Sequence, residues 1–68
     1  MNGFKYIGYL DFRSRFTHRD ECIEGGVFDT PEECRAQMEH VAEIVQPMNG
    51  NYSICVVEFR PQGAYIFA

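Results

Sequence analysis

The chain has 68 residues, of which 46% are hydrophobic and 24% charged, and its formal net charge is -4. This length makes one domain, residues 1–68, and the composition excludes a disordered chain. The negative charge argues against binding nucleic acid through bulk attraction, and it favours a protein partner. A chain this short hides only about 60% of its unfolded surface, so extra stability comes from a disulfide, a metal or a second subunit.

The first two elements in chain order are predicted strands. Residues 4–12 are rich in Tyr, Ile and Phe in loose alternation, which is typical of a strand. Gly8 lies inside this segment, where a glycine marks a bulge or the close approach of another element. A polar, basic bend follows. Residues 21–28 then form a second, weaker strand, which Gly25 and Gly26 interrupt or bulge.

The start of a helix at Thr30 is the clearest local signal. Thr30 suits the N-cap, Pro31 suits the first helical position, and Glu33 completes a capping box. The residues that follow place apolar side chains at helical spacing, which predicts one buried stripe that ends before Pro47. The stripe consists of Cys34, Met38, Val41 and Val45, widened by Ala42 and Ile44.

Two further strands are predicted after the helix, over residues 52–60 and 64–68. A tight turn with Pro61 and Gly63 joins them into a hairpin. The predicted fold class is therefore α+β in the order β-β-α-β-β. One amphipathic helix packs on a four-stranded, mainly antiparallel sheet.

Both faces of this predicted sheet are apolar, although one helix of about 24 Å covers only one of them. A half-solvated sheet alternates apolar and polar residues, so an apolar uncovered face predicts a protein interface. The alternative is that loops, long side chains or strand twist cover it. The pattern does not decide which face the helix takes. We assign partner binding to aromatic and aliphatic residues of the last two strands: Tyr52, Ile54, Val56, Tyr65, Ile66 and Phe67.

A basic loop between the first two strands is the second candidate site. Its residues are Arg13, Arg15, Phe16 and Arg19. Arginine favours bidentate contacts to phosphate or carboxylate, and Phe16 could stack on a base or ring. The alternative is a solvated bend that pairs with the protein's own acids. Three arginines are too few to hold nucleic acid firmly, so nucleic-acid binding is the weaker hypothesis.

No motif indicates a catalytic or metal chemistry. His18, Cys22, Cys34 and His40 lack the close cysteine pair of structural zinc sites. A nucleophilic cysteine needs a base and a lowered pKa, which the sequence does not indicate. We therefore expect no enzyme activity, no metal and no cofactor.

Three cysteines are too few for a closed disulfide framework, and no signal peptide or membrane-spanning run is visible. These features predict a cytoplasmic protein with reduced thiols and no membrane contact. A bridge between Cys22 and Cys34 remains an open alternative.

These observations together predict a non-enzymatic protein-binding module, an inhibitor or adaptor that occludes a partner's surface and forms a homodimer. The alternative is a small nucleic-acid-binding module that uses the basic loop. No segment carries a family motif. In size, acidity and simple layout the chain resembles small proteins of phages and mobile elements that inhibit a host enzyme or defence complex. That resemblance assigns no residue.

Overall fold

The computed structural model describes residues 3–60 as a three-stranded antiparallel sheet with one α-helix on one face. The elements are β1 (Lys5–Arg13), β2 (Asp20–Phe28), α1 (Pro31–Val45), a 3-10 turn (Met48–Gly50) and β3 (Tyr52–Phe59). β1 is central and pairs antiparallel with both neighbours. The α+β class is confirmed, in the order β-β-α-β over these residues. The predicted strand at 64–68, and with it the four-stranded sheet, lies outside the described residues.

α1 begins where the capping pattern predicts. The Thr30 backbone is extended, and its Oγ1 accepts a hydrogen bond from the Glu33 N–H at 3.1 Å. The helix ends in a left-handed residue, Gln46 (φ 54°), whose N–H donates to the carbonyl of Ala42 at 2.9 Å. This arrangement satisfies one of the terminal carbonyls, and Pro47 then prevents the helix from continuing.

The core lies between α1 and one face of the sheet. Leu10 and Phe12 of β1 form a buried cluster with Met38 and Ala42 of α1, and Cys34 is buried as well. Partly buried aliphatic side chains surround this cluster: Ile23, Val41, Val45 and Ile54.

Ile44 does not belong to the buried stripe. Its side chain is 67% exposed, contrary to the expectation that it widens the apolar face. Ile44 follows Met38 by six residues, which places it about 120° away around the helix. It therefore lies on the flank of α1 rather than against the sheet.

The closest approach of helix and sheet occurs at two glycines. A Cβ built on Gly8 would lie 2.5 Å from Cγ of Met38 and 2.8 Å from Sγ of Cys34. A Cβ on Gly25 would lie 2.4 Å from Sδ of Met38. A real Cβ does not lie this close to a non-bonded atom, so α1 reaches this depth only because both positions lack a side chain.

The β1–β2 pairing shifts register opposite Gly8. The shift falls between Ile7 and Tyr9, where Gly25 and Gly26 of β2 lie opposite a single β1 residue. This is a β-bulge at the position where the sequence predicts one.

We expect a Gly8→Ala substitution to lower the free energy of unfolding by about 1–3 kcal/mol, because Met38 and Cys34 must move to admit the methyl group. Gly26→Ala is the matched control, since the nearest atom to its Cβ is in the Phe28 ring at 3.8 Å, an ordinary contact. Urea denaturation of both variants measures the difference. Equal losses would contradict the close approach.

Candidate functional site

The sheet surface that points away from α1 is called the open face here. Side chains alternate along a strand and directly paired residues share a face, so the register assigns every strand position. Gly8, Leu10 and Phe12 of β1 point to α1, and the residues between them point away. The open face consists of Lys5, Ile7, Tyr9, Asp11 and Arg13 of β1, Val27, Glu24, Cys22 and Asp20 of β2, and Phe59, Val57, Cys55 and Ser53 of β3.

The three β3 residues that the sequence assigns to partner binding lie on the sheet face that α1 covers, not on the open face. Ile54 pairs with Leu10 and packs against the core, and Val56 pairs with Gly8 beneath α1. The helix therefore covers the face that Tyr52, Ile54 and Val56 share, and the other face is left uncovered by α1. Tyr65, Ile66 and Phe67 lie outside the described residues.

Tyr52 connects β3 to the helix. Its hydroxyl donates to a carboxylate oxygen of Glu39 at 2.7 Å, and this hydrogen bond raises the pKa of the Tyr52 phenol. Tyr52 thus stabilises the packing of α1 on the sheet, although its side chain is still partly exposed.

An apolar row crosses the open face near one end of the sheet, one row in from Lys5 and Phe59. Val27 and Val57 are both directly paired with Ile7, so the three side chains lie side by side across all three strands. Val27 is 57% exposed and Val57 is 40% exposed. The three side chains form one contiguous aliphatic strip on the side of the sheet that α1 does not cover.

Polarity increases along the strands away from this apolar row. Arg13 and Asp20 mark the far end, where Nε of the guanidinium lies 3.2 Å from the carboxylate. The rows between the two ends are Glu24–Tyr9–Cys55 and then Cys22–Asp11–Ser53. The open face is therefore graded from aliphatic to ionic.

Three free thiols lie at different depths. Cys22 and Cys55 are exposed on the open face, whereas Cys34 is buried under α1. Cys22 and Cys34 are on opposite sides of the sheet, so the bridge between them is not formed. β1 separates Cys22 from Cys55 by two strand spacings, about 9.5 Å, which is beyond the reach of a disulfide.

The thiols are not tuned for nucleophilic attack. A hydrogen bond to the Asp11 carboxylate is the main cause that raises the pKa of Cys22, and burial raises the pKa of Cys34. A nucleophilic cysteine needs a lowered thiol pKa instead.

Within residues 3–60, no three His, Cys, Asp or Glu side chains are placed to hold a metal ion. The set His18, Cys22, Cys34 and His40 does not converge.

Ser14 gives the basic loop a defined shape. This buried residue accepts hydrogen bonds at Oγ from the N–H groups of Phe16 (3.1 Å) and Thr17 (3.2 Å). Its own N–H donates to the carbonyl of Arg19, and its carbonyl accepts from His18. Sequence reasoning did not single out Ser14, although a serine at the start of a polar turn is a recognised signal for this arrangement.

The loop presents one aromatic side chain to solvent. Phe16 is 76% exposed, and the Arg15 guanidinium carbon lies 4.2 Å from its ring centroid, a cation–π contact. Arg13 is not part of this group, because it is paired with Asp20 on the open face. Phe16 and Ile44 line a shallow cavity of about 270 Å³ between the loop and the end of α1.

No family model, curated protein or solved structure matches the chain. Across residues 3–60, the one helix is too short and too polar to cross a membrane. A functional proposal therefore rests on the open face and on the basic loop.

Replacing Asp11 with Asn removes the charge that raises the pKa of Cys22 while it keeps the size of the side chain. We expect the midpoint of Cys22 alkylation to move to lower pH, so that Cys22 reacts faster at neutral pH. Peptide mapping after iodoacetamide treatment measures this rate, with Cys55 as the internal reference. An unchanged midpoint would show that Asp11 does not control the thiol.

A Ser14→Ala substitution leaves the Phe16 and Thr17 amides without their acceptor. We expect a loss of about 1 kcal/mol in stability and faster hydrogen exchange at these two amides, because the side-chain oxygen organises the turn. Exchange measured by NMR tests this, with Ser53→Ala on the open face as the control. Protection that survives in Ser14→Ala would contradict the assignment.

Proposed function

We propose that the chain is a non-enzymatic protein-binding module that docks another protein chain on its open face. The observation that carries this proposal is the apolar row of Val27, Ile7 and Val57. In an antiparallel sheet with one solvated face, that face is normally polar. Burying these three side chains against a partner removes apolar surface from water, which is the main favourable term in protein association.

The exposed thiols support the same proposal. Cysteine is among the residue types most often buried, yet Cys22 and Cys55 both lie on the open face. Because the Asp11 hydrogen bond raises the pKa of Cys22, this thiol stays neutral around physiological pH. A neutral thiol suits a contact surface better than it suits a reaction centre.

The shape of the open face supports occlusion of a partner as the mode of action. Three strands make a surface about 14 Å wide, and the nine residues of β1 extend about 30 Å. Such a surface can cover a partner's site without enclosing a small molecule. This is the behaviour of an inhibitor or an adaptor.

Nucleic-acid binding through the basic loop has weaker support. Arg13 forms an ion pair with Asp20, and the Arg15 guanidinium stacks on the Phe16 ring. Acidic side chains lie beside the loop: Asp20 pairs with Arg13, and Glu21 accepts a hydrogen bond from Thr17 at 2.8 Å. These carboxylates repel phosphate and reduce the attraction of the arginines for a polyanion.

A photo-reactive benzophenone side chain at position 57 tests the proposal inside the cells that produce the protein. We expect protein adducts from position 57 and few from position 35, where Arg35 lies exposed on the helix. A third probe at position 16 tests the basic loop. Protein adducts from position 57 support the open face. Adducts to nucleic acid from position 16 alone, or equal yields at 57 and 35, would overturn the proposal.

A further inference from the structure

We infer that the chain which docks on the open face is a second copy of this protein, turned end to end about a twofold axis through Ile7. This inference rests on the proposed function and names the partner at the same surface. In this dimer the rows of Lys5, Ile7 and Tyr9 of one copy meet the same three rows of the other.

The small core favours a second copy. Only Leu10, Met38 and Cys34 are large, fully buried side chains among the described residues. Small domains commonly bury further apolar surface by oligomerisation. The apolar row is self-complementary, because a twofold axis through its centre places Val27, Ile7 and Val57 of one copy on the same row of the other.

Charge selects the end-to-end orientation. If the strands of both copies ran in the same direction, each Asp11 would lie against Asp11 of the other copy, with both carboxylates removed from water. Like charges in that position are strongly unfavourable. In the end-to-end arrangement the overlap covers the rows of Lys5, Ile7 and Tyr9. Each Asp11 then lies opposite residue 3 of the other copy, beyond the start of its β1 and away from the other Asp11.

The same arrangement brings opposite charges together. Lys5 is one row before Ile7, and Glu24, through its pairing with Tyr9, is one row after it. A twofold axis through Ile7 therefore places Lys5 of one copy over the row that contains Glu24 of the second copy. Lys5 already pairs with Asp29 of its own chain, so it would lie between two carboxylates.

The contact area sets the expected strength. The overlapping rows cover about 14 Å by 20 Å on each copy, roughly 560 Å² in total, which is well below the roughly 1,200–2,000 Å² of stable specific interfaces. We therefore expect a weak, reversible dimer rather than an obligate one.

Sedimentation of the purified full-length chain between about 1 μM and 1 mM tests self-association. The mass should rise from 7.9 kDa towards twice that value.

Maleimide labelling over the same range of protein concentration tests the register. Cys55 lies inside the overlap and should become protected as the dimer forms, while Cys22 lies outside it and should stay reactive. Cys34 reports unfolding. Equal protection of Cys22 and Cys55 would overturn the end-to-end register.

Substitutions then locate the interface. Val57→Asp should abolish dimer formation, whereas Ile44→Asp changes a more exposed aliphatic residue outside the open face and should leave the dimer intact. Lys5→Glu and Glu24→Lys should each weaken the dimer about three- to tenfold, and the double variant should restore it. Circular dichroism confirms folding. Failure of the double variant to recover would overturn the Lys5–Glu24 contact.

The results separate this inference from the proposed function. A chain that stays monomeric up to 1 mM, but that crosslinks from position 57 to a different protein, would overturn the inference and support the proposed function. A monomer whose position-57 probe crosslinks to its own residues 61–68 would overturn both, because the chain would then cover its own open face.

Discussion

The contact between Met38 and the two glycines of the sheet determines which surface of this protein is available. Gly8 and Gly25 leave a depression that a larger residue would fill, and the Met38 side chain lies in it with Cys34 beside it. The described residues form only one α-helix, Pro31–Val45. The sheet face that α1 covers therefore also determines which face is left uncovered by a helix. The positions of the apolar row, the thiols and the Arg13–Asp20 pair all follow from it.

The local structure could be predicted from sequence because its signals are local. Thr30, Pro31 and Glu33 identify the start of α1, and their effect depends on backbone groups within one turn. The three described strands also agree with their apolar patterns to within one residue at each end. The apolar pattern of the helix wrongly placed Ile44 in the buried stripe. Ile44 is apolar, but its position around the helix axis points it away from the core.

The face of the sheet could not be assigned in the same way. Both sets of alternating residues in β3 are apolar, so hydrophobicity alone treats Ile54 and Val57 as equivalent. The informative signal was the missing Cβ at Gly8, which marks close approach on one side only. Its meaning depends on Met38, thirty residues further along the chain, and this kind of long-range contact is not visible in local periodicity. Ser14 was likewise missed, because its role depends on burial and on two amides that the turn brings to it.

The graded polarity of the open face has a consequence for the size of any assembly. A sheet surface that is apolar from end to end can associate in several sliding registers, and repeated contacts of that kind grow into aggregates. Asp11, the Arg13–Asp20 pair and Glu24 make most of those registers unfavourable. A contact centred on Ile7 uses the same patch from both molecules, so it leaves no equivalent patch free for a third. In the dimer that we infer, these charged rows would therefore limit association to a closed pair.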